Sequence, residues 1–261
     1  MKNKMFKVAG LLTSSLLVMG MLVGCGSKTE EASTQTGENV IIMGTNAEFE
    51  PFEYRENGID IVGFDVDLAQ AVADKLGKEL VVEDMAFDSL ILALNSDKVD
   101  FVAAGMTVTE ERATQVDFSD TYATSKQAII VKADNTEINT VEDLAGKKVG
   151  VQLGTTGDLA ASSDSNIGEV LQLPSGTAAV LDLKNGKIDA VVIDIEPAKK
   201  MTEGQSDLKL LETPFVDEEY AIAVKKGNQE LVDAINETIA EMKADGSYDE
   251  LYSKYFTTVT E

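Results

Sequence analysis

Leu92-Ala93-Leu94-Asn95-Ser96-Asp97-Lys98-Val99-Asp100-Phe101-Val102-Ala103-Ala104-Gly105 returns 89 positions later as Leu181-Asp182-Leu183-Lys184-Asn185-Gly186-Lys187-Ile188-Asp189-Ala190-Val191-Val192-Ile193-Asp194. Each copy reads as the end of a helix, a polar turn, and a strand whose last residues open into a loop. A common helix-turn-strand unit explains short echoes of this kind; the length of the match favours two similarly built lobes. Ligands of open α/β sheets sit beyond the carboxyl ends of the strands. Gly105 and Asp194, which end the two copies, are therefore predicted to face one site between the lobes.

Working outward, β-rich runs alternate with amphipathic helices. Val40-Ile41-Ile42-Met43 reads as a buried strand ending at Gly44. Leu68, Val72 and Leu76 share one helical face, closed by Gly77. Further strands are predicted around Leu80 to Val82, Val99 to Ala103 and Gln127 to Val131, with a helix opening near Asp88. Thr140 and Asp143 open a capped turn before Val149-Gly150-Val151, and a helix follows Thr156-Gly157. Leu231, Ile235, Ile239 and Met242 form a helical stripe stopped by Gly246, after which Ser247 and Glu250 are predicted to cap a last helix bearing Tyr252 and Phe256. The alternation argues for an α/β fold with open sheets.

The N-terminus is organised differently. Lys2, Lys4 and Lys7 precede an apolar stretch from Val8 to Val23, interrupted only by small residues such as Gly10, Ser14 and Gly20. This is the pattern of a secretory signal, predicted over residues 1–24; a span across a bilayer needs about 20 predominantly apolar residues. Gly26 to Glu38 contains no large apolar side chain, so it cannot offset its own ordering entropy. Residues 25–38 are predicted to be a flexible tether reaching on the order of 20 Å.

Composition excludes several functions. The chain has 22 basic and 46 acidic residues, a formal net charge of −24, which becomes −27 once the three signal lysines are removed. Nucleic acid is not a fitting partner, because phosphate binding needs a basic face. Histidine is absent, which removes His-dependent triads, the commonest general base and the commonest zinc ligand. Cys25 is the sole cysteine, so the fold does not depend on disulfides.

Arginine is rare: 20 of the 22 basic residues are lysines, leaving Arg55 and Arg112. Arg112 lies just past the first repeated strand, in Ala104-Gly105-Met106-Thr107-Val108-Thr109-Glu110-Glu111-Arg112. Its planar fork suits a carboxylate in a way that lysine does not; a surface ion pair with Glu110 or Glu111 is the alternative. Asp194, at the matching point of the second copy, offers negative charge for an ammonium group or a cap for the turn before Glu196-Pro197.

Several separated motifs carry a resemblance. Gly44-Thr45-Asn46-Ala47-Glu48-Phe49-Glu50-Pro51-Phe52-Glu53-Tyr54, Val62-Gly63-Phe64-Asp65-Val66-Asp67-Leu68, Gly105-Met106-Thr107 with Glu111-Arg112, and Val116-Asp117-Phe118-Ser119 resemble the polar amino-acid-binding proteins of ABC importers, solute-binding protein family 3. Gly150-Val151-Gln152-Leu153-Gly154-Thr155-Thr156-Gly157 and Asp189-Ala190-Val191 extend the similarity over residues 39 to 257. The resemblance implies a two-lobed clamshell of the type II periplasmic-binding fold. One lobe would be residues 39–123 with 222–261 and the other 127–217, joined by crossover strands near Ala123 to Gln127 and Asp217 to Ala221. It implies that Arg112 holds a ligand carboxylate, helped by Thr107 and by the Thr155-Thr156 helix start, where backbone amides favour anions. Asp194 with Ala104 and Gly105 would take the ammonium, and Phe49 and Phe87 would sandwich the ligand side chain, unless either ring is core. Asn46 stands where relatives carry aspartate. With Gln152 it offers neutral polar contacts, which favours a neutral ligand such as glutamine over a basic one.

The expected function is capture of a polar amino acid for an ABC importer, by a monomer without cofactor, metal or catalytic residue, working with permease subunits. The alternatives are an enzyme on the same scaffold, such as a dehydratase of the cyclohexadienyl type, or a ligand-sensing receptor module. Leu22-Val23-Gly24-Cys25 resembles the lipobox of bacterial lipoproteins, which implies a lipidated Cys25 on the extracytoplasmic face of the cell membrane. Cys25→Ala is expected to release the protein from the membrane fraction, measured by fractionation and immunoblotting; a variant that stays with the membrane would mean an uncleaved anchor.

Overall fold

A computed structural model describes residues 39–211 and 217–256; the signal segment, Cys25 and the tether lie outside the described residues. Two sheets organise the chain. The first has the strand order Glu79–Asp84, Val40–Thr45, Phe101–Val102, Ala223–Lys225, Val116–Phe118. The first three are mutually parallel, and Ala223–Lys225 runs antiparallel to both its neighbours. The second has the order Glu169–Leu173, Lys148–Gln152, Ala190–Asp194, Ala123–Lys132, Leu208–Leu211. All five residues of Ala190–Asp194 are buried, as befits a strand covered on both faces by crossover helices.

The ten-residue strand Ala123–Lys132 joins the sheets. Its second half pairs with Ala190–Asp194, while its first half pairs with Asp217–Tyr220, in the register Ala123↔Tyr220 to Lys126↔Asp217. These antiparallel segments are the two crossovers between a pair of α/β lobes, the type II periplasmic-binding fold. The chain returns through Ala223–Lys225 to the first sheet, and its last helices, Gln229–Asp245 and Ser247–Tyr255, pack on that side. An aromatic cluster holds them there: the Phe52 ring lies 5.1 Å from Tyr220 and 5.0 Å from Phe256, and Phe64 stacks 6.0 Å from Tyr122.

The repeat is structural. Asp97 and Gly186, at matching positions, both take left-handed backbone, with φ of 59° and 71°. Val99 and Ile188 are both buried. Asp100 Oδ2 accepts the Ile42 N–H at 2.7 Å, and Asp189 Oδ2 accepts the Lys148 N–H at 2.8 Å. Each lobe thus uses the aspartate of its Lys-Val/Ile-Asp turn to hold the backbone of the adjacent parallel strand.

Two local expectations are corrected. The strand over Val99 to Ala103 is confined to Phe101–Val102. Ser247 does not cap the last helix: Gly246, at φ 89°, both ends Gln229–Asp245 and occupies the cap position of Ser247–Tyr255. A one-residue joint leaves no extended position for Ser247, which becomes the first helical residue while its N–H is taken by Asp245 Oδ1 at 2.9 Å.

Gly63 precedes the helix Phe64–Lys75 at φ 140°, and a Cβ there would lie 2.1 Å from the Phe52 carbonyl oxygen. That carbonyl accepts the Asp65 N–H at 2.9 Å, so neither backbone segment can yield without losing the helix start. Gly63→Ala is expected to cost about 3 kcal/mol of stability, since it combines backbone strain with a steric clash; urea unfolding measures it.

Candidate functional site

Four strand ends converge on one cleft. Asn46 follows Val40–Thr45, Ala104 to Thr107 follow Phe101–Val102, and Gln152 and Asp194 close their own strands. Phe49, Phe87, Arg112, Thr155 and Thr156 complete the candidate set from the sequence, so all eleven residues line this cleft. Glu53 lines it as well and was not foreseen.

Arg112 lies on the short helix Glu110–Gln115, whose cap Thr109 accepts the Arg112 N–H at 3.1 Å. Its guanidinium is buried at 6 % exposure. Nη1 donates to the Thr107 carbonyl at 2.7 Å and Nη2 to the Gly154 carbonyl at 3.0 Å, and the group sits 5.4 Å from the Phe87 ring centre. Among the described residues it makes no ion pair, with Glu110, Glu111 or any other acid. Burial lowers its pKa, against the fields of Glu218, Asp194 and Glu111. A buried cation held only by carbonyl dipoles is costly, and an incoming anion offsets that cost. Arg55, the other arginine, pairs with Asp84 at 2.7 Å on the surface.

Asp194 occupies the cap position of the helix Ile195–Thr202 but does not bond to its backbone. Its carboxyl instead accepts the Tyr220 hydroxyl at 2.5 Å on Oδ1 and the Gln127 amide at 3.0 Å on Oδ2. Burial, together with the charge of Glu218, pushes its pKa up to about 7. Glu218, 1 % exposed on the second crossover, takes the hydroxyl hydrogens of Thr107 and Thr156 and the Gln127 amide.

That network changes the parts expected of the threonines. The hydroxyl hydrogen of Thr107 is committed to Glu218 and its carbonyl to Arg112, so its free donor is the backbone N–H. Val108 N–H to Glu219 O and Ala221 N–H to Met106 O flank the pair Thr107↔Tyr220 and turn the Thr107 amide away from the crossover strand. Thr155 caps the helix Thr156–Ser163, accepting the Asp158 N–H at 3.1 Å while donating to the Gln152 carbonyl at 2.8 Å. The Thr156 amide is one of the first-turn N–H groups that a helix leaves unpaired. Gln152 Nε2 donates to Asn46 Oδ1 at 2.8 Å, and Asn46 Nδ2 to the Met85 carbonyl at 2.9 Å. Asn46 and Gln152 thus face each other across the lobes.

Phe49 is both cleft wall and core, since it packs 5.9 Å from Phe52 and covers Gly105. Gly105 sits at φ 51°, and a Cβ there would lie 2.6 Å from the Phe49 ring. Phe87 is partly buried on a 3₁₀ turn, packed against the core cluster around Leu90 and Met106 as well as facing Arg112. Sequence reading missed Glu53, Gln127, Glu218 and Tyr220. One signal was present for Glu218: with strand period two, it shares the buried face of Asp217–Tyr220 with Tyr220.

With the geometry in hand, comparison with known proteins is decisive. Residues 41–258 match the bacterial extracellular solute-binding proteins, family 3. The chain belongs to this family. It is 39 % identical over 259 residues to the arginine-binding extracellular protein ArtP of Bacillus subtilis (strain 168), covering 95 % of this chain and 97 % of that one. An ancestral arginine-binding protein bound to arginine superposes with a TM-score of 0.80 at 44 % identity, covering 84 % of this chain and 98 % of the other. An ancestral arginine-binding protein bound to glutamine gives a TM-score of 0.81 at 44 % identity, covering 84 % of this chain and 99 % of the other.

Three buried carboxyls, two of which line the cleft, have pKa values above the usual range: Asp194 at about 7, Asp65 at about 6 and Glu53 well above the ordinary glutamate value, each chiefly through burial. The fold therefore binds their protons more tightly than the unfolded chain does, and their contribution to stability declines as pH rises from about 4 to about 7. Scanning calorimetry of the unliganded protein is expected to give a lower Tm at pH 8 than at pH 5.5, with a smaller difference in Asp194→Asn. An unchanged difference would mean that Asp194 does not carry this linkage.

Proposed function

We propose that this solute-binding protein captures a polar L-amino acid between its lobes and presents it to the permease subunits of an ABC importer. The observation that carries the reading is the pairing of Arg112 and Asp194 in one cleft. A buried guanidinium without an ion pair and a buried carboxyl stand on opposite lobes, complementary to the carboxylate and ammonium that every free amino acid presents. The Thr107 and Thr156 amides add donors at the carboxylate end. Phe49 and Phe87 give the side chain apolar walls, and Asn46 and Gln152, which hydrogen-bond to each other across the lobes, offer neutral polar groups to the ligand's polar end. The crossovers Ala123 to Gln127 and Asp217 to Ala221 serve as the hinge, and closure excludes water and strengthens both charge pairs.

Arginine and glutamine are the first ligands to test, since similar ancestral arginine-binding proteins are described with one or the other. Asn46 and Gln152, both neutral, favour glutamine. The relatives are named as binding proteins, which supports capture rather than conversion. A signal over residues 1–24 and lipidation at Cys25 would hold a monomeric receptor near its permease on the extracytoplasmic face, raising its effective concentration there.

A thermal-shift screen over the common amino acids, followed by calorimetry, identifies the ligand. Arg112→Ala is expected to weaken binding by about two orders of magnitude, the usual scale for truncating one partner of a buried charge pair, while leaving the Tm of the unliganded protein nearly unchanged. Retained affinity would overturn the carboxylate assignment.

A further inference from the structure

Glu53 opens the strand Glu53–Glu56 at 1 % exposure, and it lines the cleft. Neither of its carboxyl oxygens has a partner among the described groups. Such an acid costs several kcal/mol if it is charged and alone. Its neighbour is Asp65, the second residue of the helix Phe64–Lys75, which is fully buried. Asp65 Oδ2 accepts the Gly105 N–H at 2.9 Å and the Tyr122 hydroxyl at 2.6 Å, and its Oδ1 is unpartnered.

Two carboxyls side by side in a dry site cannot both ionise without strong repulsion, and one proton between them removes it. The hydrogen bonds decide which residue holds it. Asp65 has two donors that stabilise its negative charge; Glu53 has none. Asp194 and Asp84, both acids, also disfavour a charge on Glu53. Tyr122 and Tyr220 have already directed their hydroxyl hydrogens to Asp65 and Asp194.

We propose that Glu53 is a ligand-facing residue that acts as a neutral carboxylic acid: its O–H donates to Asp65 Oδ1, and its carbonyl oxygen accepts a hydrogen bond from the ligand's ammonium group. The inference rests on the amino-acid reading of the cleft. Asp194 supplies the charge for the ammonium, Glu53 supplies an uncharged acceptor, and the proton keeps Asp65 paired while it holds Gly105 against Phe49. Glutamine in place of Glu53 reproduces this pattern, since its amide donates to Asp65 and its carbonyl faces the cleft. Leucine reproduces neither half.

Calorimetric titration with L-arginine and with L-glutamine is the first test. Glu53→Leu is expected to weaken binding about thirtyfold, the scale of leaving buried polar groups unpaired, and Glu53→Gln to recover most of that loss. A glutamine variant as impaired as the leucine one would mean that a charged carboxylate is needed, and a leucine variant that binds as tightly as the parent would mean that Glu53 does not touch the ligand; either overturns the proposal. A second measurement needs no ligand. The infrared difference spectrum of the parent minus Glu53→Gln, at pH 8, is expected to contain a protonated-carboxyl band. Its absence overturns the shared proton even if neither amino acid binds.

Discussion

Glu218 takes hydrogens from the hydroxyls of Thr107 and Thr156 and from the Gln127 amide, and so ties three segments of chain to one buried carboxylate on the second crossover. Thr107 belongs to the loop after the first lobe's central strand, Thr156 to the helix start of the second lobe, and Gln127 to the long strand that joins the lobes. Gln127 extends the same network to Asp194. Once these hydroxyls are committed, the donors left around Arg112 are backbone amides and its own fork. The set of donors that the cleft offers thus depends on a residue that does not line it. A carboxylate with three such donors is well satisfied in a dry site, which is how the crossover can carry it at 1 % exposure.

Charge distribution within the cleft follows from the same economy of donors. Glu53, Asp65, Asp194 and Glu218 are buried acids in or near the cleft, and among the described residues Arg112 is its buried cation. Full ionisation of all four would leave a large excess of negative charge in a low-dielectric pocket, which is why burial raises the pKa of Glu53, Asp65 and Asp194. The cleft therefore holds protons as part of its architecture. Its polarity runs from Arg112 with nearby amides at one end to Asp194 at the other, matching the direction of a zwitterion.

Much of the fold was legible because it rests on local chemistry. The repeated helix-turn-strand unit announced two similar lobes, and the turn aspartates, Asp100 and Asp189, bear this out by bracing equivalent strands. The eleven candidate residues were found through strand ends and a resemblance, and all line one cleft. Their individual duties were less legible. Thr107 and Thr155 line the cleft as expected, but nothing in the sequence showed that their hydroxyls serve Glu218 and a helix cap. Ser247 had the sequence of a cap, yet a one-residue joint at Gly246 left it no room to act as one.

By itself, then, the sequence determined the α/β alternation, the lobe repeat, the strand ends that carry the site and the scarcity of arginine that singled out Arg112. These follow from periodicity, turn chemistry and side-chain type, which are properties of short stretches of chain. Tertiary structure alone decided which acids are buried beside one another and which hydroxyls are already spent. Glu53 meets Asp65, and Glu218 meets Thr107, across separations of 12 and 111 positions. Hydrogen-bond satisfaction and desolvation are set by neighbours in space, so Glu218 and the adjacent Glu219 differ only once the strand turns one side chain inward and the other to solvent.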